Sequence, residues 1–354
     1  MKAFRWHPLA QVEGDDSGLA AVVRRGGAFR IGGVGPQPEG VGVFETLTSG
    51  SSGQPRRIVR SMESWTRSFA VNAAMFGIGP RCRVAVLGDL VHSLALYGAL
   101  EAVHLGARVQ LLGGMRPDRQ ARALAADVIY ATPAQLRMLV EAGWRASGLI
   151  LVGGSKLDAG LRLALAGAEV REFYGAAEAS FITLAGADAP LASVGRAYPE
   201  VEIALREGEI WVRSPYVFEG YAGENRGGAV WDAGWLSVGE MGWMEAGYLY
   251  LSGRAGRMVT VADQNVFPEQ IEAFIAGLAG VRRVAVVPRV DALRGVVLVA
   301  IAVGDASCEA EILAACRRQF GALKAPRAVI WRADWPELAS GKVDLRRLAL
   351  EAGL

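Results

Sequence analysis

The amino-acid sequence predicts an α/β protein: a large N-terminal domain with a mostly parallel sheet flanked by helices plus a small antiparallel β region, and a small C-terminal α+β domain. Two observations carry this prediction. Strand patterns alternate with helical patterns between residues 83 and 173, and beyond residue 190 the strands become short and are separated by glycines. Alternating strands and helices favour a parallel sheet covered on both faces, whose ligands lie at the carboxyl ends of the strands.

The elements of the predicted parallel sheet follow in chain order. Apolar residues at helical spacing predict a helix over Met62–Phe76. Residues 1–40 are weakly patterned, and short strands are expected there at Ala20–Val23 and Phe29–Ile31. We then expect strands at Arg83–Leu87, Arg108–Leu112, Val128–Tyr130, Leu149–Val152 and Glu169–Phe173, separated by helices at Ser93–Leu105, Arg119–Ala126, Pro133–Ala142 and Leu157–Ala166.

The antiparallel region and the small C-terminal unit come next. A boundary near Gly253 predicts domains over residues 1–252 and 253–354. Before it, short strands are expected at Val201–Leu205, Glu209–Val212, Leu236–Ser237 and Tyr248–Leu251. After it, we expect helices at Gln270–Leu278 and Ala310–Phe320 and strands at Val281–Pro288, Val296–Val303 and Ala328–Trp331.

Composition narrows the function class. Hydrophobic residues make up 52% and charged residues 21% of the chain, which is typical of a globular protein, and the net charge of +2 gives no electrostatic case for a nucleic acid or a membrane as main partner. Cys82, Cys308 and Cys316 form neither a disulfide framework nor a zinc-ligand spacing. The start of the chain has no signal-peptide pattern, and no apolar run is long enough to cross a membrane, so we expect a cytoplasmic protein.

The segment Thr48–Arg57, TSGSSGQPRR, is rich in glycines and hydroxyls and ends in two cations. Glycines allow backbone N–H groups to turn inward, and hydroxyls and arginines add donors that suit a polyphosphate. A flexible, solvated turn is the alternative. The segment lacks the P-loop pattern, in which Gly-Lys-Ser/Thr follows the first glycine at fixed spacing.

Five further segments carry residues suited to nucleotide chemistry, although each by itself also fits an ordinary turn or a solvated side chain. They are LILVGGSKL at Leu149–Leu157, EFYGAAE at Glu172–Glu178, WLSVGE at Trp235–Glu240, GRAGR at Gly253–Arg257 and SGK at Ser340–Lys342. Glu178 offers a hard oxygen ligand, and Mg²⁺ binds through one or two carboxylates plus substrate phosphates.

The order of these motifs resembles that of the adenylate-forming superfamily, which contains acyl-CoA synthetases, luciferases and peptide-synthetase adenylation domains. VHSLALYGAL resembles the family's His-containing segment before a helix, and GEIWVRSPYVFEGY resembles its GELWVRGP…GY element. The resemblance covers roughly residues 44–350. It implies that a carboxylate attacks the α-phosphate of ATP, giving acyl-AMP and pyrophosphate, and that a thiol of CoA or of a carrier-protein phosphopantetheine then displaces AMP.

The resemblance also implies residue roles. Lys342, Glu178 and Arg254 are implied to be catalytic; Glu178 would bind Mg²⁺, and Lys342 would bridge the acyl carboxylate and the α-phosphate before the small domain rotates away. His92 and Ala179 would lie at the substrate pocket. The residues implied to bind the nucleotide are Thr48, Ser49, Gly50, Ser51, Ser52, Gly53, Arg56, Gly153, Gly154, Ser155, Phe173, Tyr174, Gly175, Glu240 and Arg254, with adenine between Gly153–Ser155 and Tyr174 and the ribose hydroxyls on Glu240.

The chain departs from the family pattern at several positions. Arg56 replaces the usual lysine, Ala177 the usual threonine and Glu240 the usual aspartate. Gly256 stands at the hinge, and VAD at residues 261–263 replaces a glycine-bearing loop. The phosphate loop begins at residue 48, where family members usually carry well over a hundred preceding residues. We therefore expect a homodimer that covers the surface left by the shorter N-terminal part.

Three functions compete. The first is an acyl-CoA synthetase or acyl-carrier-protein ligase, and the second is a non-catalytic AMP- or ATP-binding member of the family. A phosphate-loop ATPase is disfavoured because the Gly-Lys-Ser/Thr pattern is absent. Leu, Val, Phe and Ala dominate the segments expected to line the pocket, which favours an aliphatic or aromatic monoacid of fatty or aromatic acid metabolism over a diacid or an amino acid. The acid itself and the choice between CoA and a carrier protein stay open.

Overall fold

The computed structural model describes residues 3–16, 18–48, 56–223, 227–261, 264–291, 295–338 and 343–354. The helices are α1 (Leu19–Arg25), α2 (Met62–Phe76), α3 (Ser93–Leu105), α4 (Pro117–Ala123), α5 (Pro133–Glu141), α6 (Ala159–Ala164), α7 (Pro268–Ala276), α8 (Glu309–Lys324) and α9 (Leu345–Glu351). The strands are β1 (Gln11–Glu13), β2 (Phe29–Arg30), β3 (Val43–Leu47), β4 (Arg57–Ser61), β5 (Arg83–Val86), β6 (Arg108–Leu111), β7 (Val128–Ala131), β8 (Leu149–Val152), β9 (Glu169–Ala176), β10 (Ser180–Leu184), β11 (Arg196–Ala197), β12 (Glu202–Arg206), β13 (Glu209–Arg213), β14 (Gly220–Ala222), β15 (Val230–Asp232), β16 (Trp235–Glu245), β17 (Tyr248–Arg254), β18 (Val259–Val261), β19 (Gln264–Val266), β20 (Val281–Asp291), β21 (Gly295–Gly304) and β22 (Val329–Trp331).

The central sheet has the strand order β1-β6-β5-β7-β8-β9-β10-β11. The six strands from β1 to β9 in this order run parallel, and β10 and β11 add antiparallel to them. Successive residues of β5 point to opposite faces: Val84 and Val86 belong to one hydrophobic core, whereas Ala85 belongs to the other. The predicted α/β fold with a mostly parallel sheet covered on both faces is confirmed.

The N-terminal segment corrects one prediction, because Ala20–Val23 lies in helix α1 and not in a strand. Leu19 and Val23, one helical turn apart, are both buried, and the helix is bounded by Gly18 and Gly26 in the left-handed conformation. The β-branched pair in this segment is therefore overridden by helical packing.

The same segment covers part of the structure that follows it in the chain. Strand β1 pairs with β6 at the edge of the central sheet, and β2 pairs with β3. Phe4 is buried in an aromatic cluster, which contains Phe29, Phe44, Trp65 and Phe69. Part of the surface for which a second copy was expected is thus covered within the chain.

Two smaller sheets lie between the central sheet and the C-terminal region. One has the order β14-β4-β3-β2, and the other joins β12, β13, β15, β16 and β17. Strand β16 extends over eleven residues, Trp235–Glu245, where the sequence predicted only Leu236–Ser237. Strand β4 lies between β14 and β3, so it connects the two hairpin arms of its sheet.

The C-terminal region contains the β18–β19 hairpin and a sheet of the order β20-β21-β22. Two hydrophobic clusters form its core, one beneath helices α7 and α8 and one beneath α9. The predicted division at residue 253 stays a prediction. Among the described residues, no helix is long and apolar enough to cross a membrane.

Candidate active site

The predicted phosphate loop connects the two strands of a hairpin. Strands β3 and β4 pair antiparallel, with Leu47 opposite Arg57. The Thr48 N–H donates to the Arg56 carbonyl at 2.9 Å, and the Arg56 N–H donates to Thr48 Oγ1 at 3.3 Å. These bonds close the hairpin at the base of the loop. The predicted phosphate ligands Ser49, Gly50, Ser51, Ser52 and Gly53 lie outside the described residues.

One end of this hairpin contacts the carboxyl edge of the parallel sheet. Leu47 forms a parallel bridge with His92, which directly precedes helix α3, and Ser93 Oγ donates to Thr46 Oγ1 at 2.7 Å. Burial lowers the pKa of His92, and the nearby Asp89 opposes that shift. His92 is therefore placed beside the phosphate-loop hairpin as a predominantly neutral imidazole at neutral pH.

Glu178 lies in the turn between β9 and β10 and is only 8% exposed. Its Oε1 accepts a hydrogen bond of 2.8 Å from the Tyr221 hydroxyl, and its backbone carbonyl accepts one of 2.7 Å from the Phe218 N–H. Ala179, next in the chain, is buried in the hydrophobic core. Burial raises the pKa of Tyr221, and the Glu178 carboxylate raises it further, so the hydroxyl keeps its proton and donates.

Arg60 on β4 is a site neighbour that the sequence did not reveal. Its guanidinium is buried and donates to the Tyr216 carbonyl at 2.7 Å and to the Ala177 carbonyl at 2.5 Å. Burial lowers its pKa to about 10, and the negative charges of Glu178 and Glu219 oppose this shift. Arg60 stays charged at neutral pH and fixes the turn that carries Glu178.

Glu240, Arg254 and Tyr174 are brought together although they are distant in sequence. Glu240 on β16 pairs directly with Arg254 on β17, and Arg254 Nε donates to Glu240 Oε1 at 2.9 Å. The Tyr174 hydroxyl is buried and finds no hydrogen-bond partner among the described residues. Burial raises the pKa of Tyr174, Glu240 raises it further, and Arg254 opposes the shift. Three of the predicted nucleotide-binding residues therefore share one local electrostatic environment.

The paired glycines follow β8 at the carboxyl edge of the sheet. A Cβ on Gly153 would lie 2.4 Å from the ring of Phe173, so this aromatic ring rests directly on the glycine backbone. Gly154 has φ +96°, a conformation that favours glycine, and Ser155 is exposed. A Cβ on Gly175 would lie 2.1 Å from the Ser180 carbonyl, so the β9–β10 hairpin requires a glycine there.

The hinge region is held by charged contacts. Arg257 donates to Glu272 Oε1 at 2.7 Å and lies 3.3 Å from Glu269 Oε1, and the same Glu269 oxygen accepts a 3.4 Å bond from the Arg254 N–H. A Cβ on Gly256 would meet nothing within 4 Å. Available space therefore does not require a glycine at that position. The predicted catalytic Lys342, together with Ser340 and Gly341, lies outside the described residues.

Comparison with known proteins agrees with this geometry. Residues 43–222 match the family model "AMP-binding enzyme", and residues 270–342 match "AMP-binding enzyme C-terminal domain". The chain is 31% identical over 326 residues to the uncharacterized acyl–CoA ligase YhfT of Bacillus subtilis, a match that covers 85% of this chain and 67% of the relative. It is 27% identical to the 2-succinylbenzoate–CoA ligase of Enterococcus faecalis, over 86% of this chain and 68% of that protein.

Solved structures show the same fold. The amide bond synthetase McbA of Marinactinospora thermotolerans superposes with a TM-score of 0.75 at 25% identity, over 91% of this chain and 72% of that one. The o-succinylbenzoate CoA synthetase MenE of Bacillus subtilis, solved with ATP and a magnesium ion, gives 0.75 at 24% identity, over 86% and 69%.

The chain therefore belongs to the AMP-binding, adenylate-forming enzyme family and is an acyl-CoA-ligase-like member of it. It spans 67% of the length of YhfT and 56% of a putative long chain fatty acid–CoA ligase of Staphylococcus epidermidis.

Proposed function

We propose that this protein activates a carboxylic acid with ATP and then transfers the acyl group to a thiol. A carboxylate oxygen attacks the α-phosphorus of ATP, and the bond from that phosphorus to the bridging oxygen breaks, which releases pyrophosphate and leaves acyl-AMP. A thiol sulfur then attacks the acyl carbon, loses its proton and displaces AMP, giving a thioester.

One observation carries this proposal: both arms of the phosphate-loop hairpin contact the carboxyl edge of the central sheet. On one arm Leu47 bridges to His92, and on the other Arg60 binds the carbonyl of Ala177, next to Glu178. The loop predicted to hold the phosphates and the carboxylate predicted to hold their metal are thereby kept adjacent. Ligands of parallel sheets bind at this edge.

The residues around Glu178 fit a magnesium ion delivered with ATP. Mg²⁺ uses one or two protein carboxylates and completes its shell with substrate phosphates and water. Glu178 is a carboxylate of low exposure that has one oxygen occupied by Tyr221. Among the described residues, no cluster of three or more His, Cys, Asp or Glu could hold a metal by itself, which fits an ion shared with the nucleotide. When bound, the ion would offset the charge of the phosphates.

The remaining roles are assigned to the residues that the family resemblance selects. Glu240, paired with Arg254, would accept hydrogen bonds from the ribose hydroxyls, and Phe173 on Gly153 would present an aromatic wall to the adenine side. Lys342 would stabilise the negative charge that develops between the acyl carboxylate and the α-phosphate. The small domain that carries Lys342 would then move aside for the thiol.

The acceptor is proposed to be CoA, because the relatives YhfT and the Enterococcus faecalis enzyme are described as CoA ligases. A carrier-protein phosphopantetheine would use the same chemistry. An aliphatic or aromatic monoacid is proposed as the substrate. A non-catalytic nucleotide-binding role is the alternative, motivated by Ala177 in place of threonine.

ATP–pyrophosphate exchange across a panel of aliphatic and aryl acids tests the proposal. Exchange that depends on one class of acid is the expected result and would identify the substrate class; CoA or a carrier protein added afterwards would identify the acceptor. Measurable ATP binding without exchange for any acid would favour the non-catalytic alternative instead.

Two further proposals concern the state of the protein. We expect a homodimer in the cytoplasm, although residues 3–31 already cover part of the surface on which that expectation was based. Sedimentation at micromolar concentration tests the dimer, and a monomer there would remove it.

A further inference from the structure

We infer that Tyr221 is a positioning residue for the magnesium-binding carboxylate, and that it links this carboxylate to the strand that leaves the phosphate loop. The inference rests on the proposed function, since it takes Glu178 as the metal ligand. It concerns a residue for which the family resemblance assigned no role.

The first argument is the hydrogen bond itself. The Tyr221 hydroxyl donates to Glu178 Oε1 at 2.8 Å in a half-buried environment. A carboxylate that accepts a bond on one oxygen loses rotational freedom, and its second oxygen is left in a defined direction. Partners of this kind orient metal ligands, and their loss typically weakens metal affinity by about 10- to 100-fold.

The second argument is where Tyr221 is mounted. It lies at the centre of β14, which pairs antiparallel with β4 in the register Tyr221 to Ile58 and Ala222 to Arg57. Strand β4 begins directly after Arg56, the described end of the phosphate loop. A displacement of β4 would therefore move Tyr221 as well, and the carboxylate would follow through the hydrogen bond.

The third argument is that the same strand grips the carboxylate turn from a second direction. Arg60, also on β4, donates to the Ala177 carbonyl one residue before Glu178. Phe218, three residues before Tyr221, donates its N–H to the Glu178 carbonyl at 2.7 Å. The backbone of the turn and the side chain of Glu178 are thus both referenced to β4 and β14. The relative position of metal and phosphates would be set by one pair of strands.

The space around the hydroxyl supports a specific fit. A Cβ on Gly227 would lie 2.1 Å from the Tyr221 oxygen, and Gly227 does not have a left-handed φ that would by itself demand glycine. An alanine there is compatible with the backbone but would push the hydroxyl away from Glu178. Gly227→Ala therefore breaks the hydrogen bond without changing either partner.

The test compares Tyr221→Phe and Gly227→Ala with wild type and with Tyr250→Phe. Tyr250 stacks on Trp243 and its hydroxyl makes no hydrogen bond within the described part of the chain, so its substitution controls for the loss of a tyrosine hydroxyl. Calorimetry would measure binding of a non-hydrolysable ATP analogue at a series of Mg²⁺ concentrations, and steady-state kinetics would separate KM for MgATP from kcat.

We expect both site variants to need about tenfold more Mg²⁺ for half-maximal analogue binding, with unchanged affinity in the absence of the metal, while Tyr250→Phe behaves as wild type. KM for MgATP should rise more than kcat falls, because the hydrogen bond prepares the site before chemistry. Equal Mg²⁺ requirements in wild type and Tyr221→Phe would overturn the inference.

Glu178→Gln separates this inference from the proposed function. If Glu178→Gln loses the Mg²⁺ dependence and Tyr221→Phe retains it, the positioning role is wrong and the proposed function stands. If wild-type binding of the analogue does not depend on Mg²⁺, the assignment of Glu178 as metal ligand fails, and the inference fails with it.

Discussion

A buried carboxyl group in the N-terminal core makes the stability of this protein depend on pH. Glu101 of helix α3 is fully buried, and its Oε1 accepts a 2.9 Å hydrogen bond from the Asn72 amide while its Oε2 accepts one from the Tyr130 hydroxyl. Burial raises the pKa of Glu101 from the ordinary 4.5 to about 8, and the hydrogen bonds from Tyr130 and Asn72 only partly oppose it. No cation among these partners compensates a negative charge at this position.

The sign of the effect follows from proton binding. Between pH 4.5 and about 8 the folded chain keeps the Glu101 proton that the unfolded chain has released. The free energy of unfolding therefore decreases as pH rises, by about 1.4 kcal/mol per unit within this window. Integrated from about pH 5 to about pH 8, the loss amounts to about 3 kcal/mol.

Glu101→Gln should remove this loss, because the amide stays neutral at every pH and retains the shape of the protonated acid. Urea denaturation of both proteins from pH 5 to pH 8 measures the free energy of unfolding. The difference between wild type and variant should change by about 3 kcal/mol in favour of the variant as pH rises. Glu141→Gln, on an exposed residue, is the matched control and should run parallel to wild type. Parallel curves for wild type and Glu101→Gln would refute the reasoning, since they would show that Glu101 titrates alike in both states.

Three further predictions address the proposed site. Lys342→Ala should abolish ATP–pyrophosphate exchange but leave thioester formation from supplied acyl-AMP largely intact; if both half-reactions survive, the lysine has a different role. Gly153→Ala should lower the free energy of unfolding by about 1–3 kcal/mol in urea denaturation, because its Cβ would meet the Phe173 ring at 2.4 Å. Unchanged stability would mean that the ring moves aside. Glu240→Gln should raise KM for ATP about tenfold with little change in kcat, because it weakens the pair with Arg254 and the hydrogen bonds proposed to the ribose; an unchanged KM would place the ribose elsewhere.

The parallel sheet could be predicted because its signals are local. Strands β5 to β9 are short apolar runs that alternate with helical patterns, and the observed strand Leu149–Val152 has the predicted bounds. Strand β1, at Gln11–Glu13, was not predicted. Three residues of mixed polarity form a strand only because β6, nearly a hundred residues later, offers a free edge.

The site was predictable as a set of motifs but not as an arrangement. Glu178 was selected by its position in the YGxxE motif, yet nothing in the sequence pairs it with Tyr221, 43 residues further on. Arg60 was missed for a different reason. A third arginine in the run RRIVR suggests a solvated cation, and only the fold shows that its charge is buried against backbone carbonyls.

The burial of Arg60 bears on the departure at Ala177. The alanine lacks the hydroxyl that family members usually carry before the metal-binding glutamate, which could leave this turn less constrained. Here the Ala177 carbonyl is held by a charged donor, and hydrogen bonds from charged groups are roughly twice as strong as neutral ones. A buried guanidinium is tolerated only where acceptors satisfy it, and the Ala177 and Tyr216 carbonyls do so. The turn that carries Glu178 is therefore fixed through its backbone from β4, so the loss of one side-chain hydroxyl does not by itself argue that the site has lost its geometry.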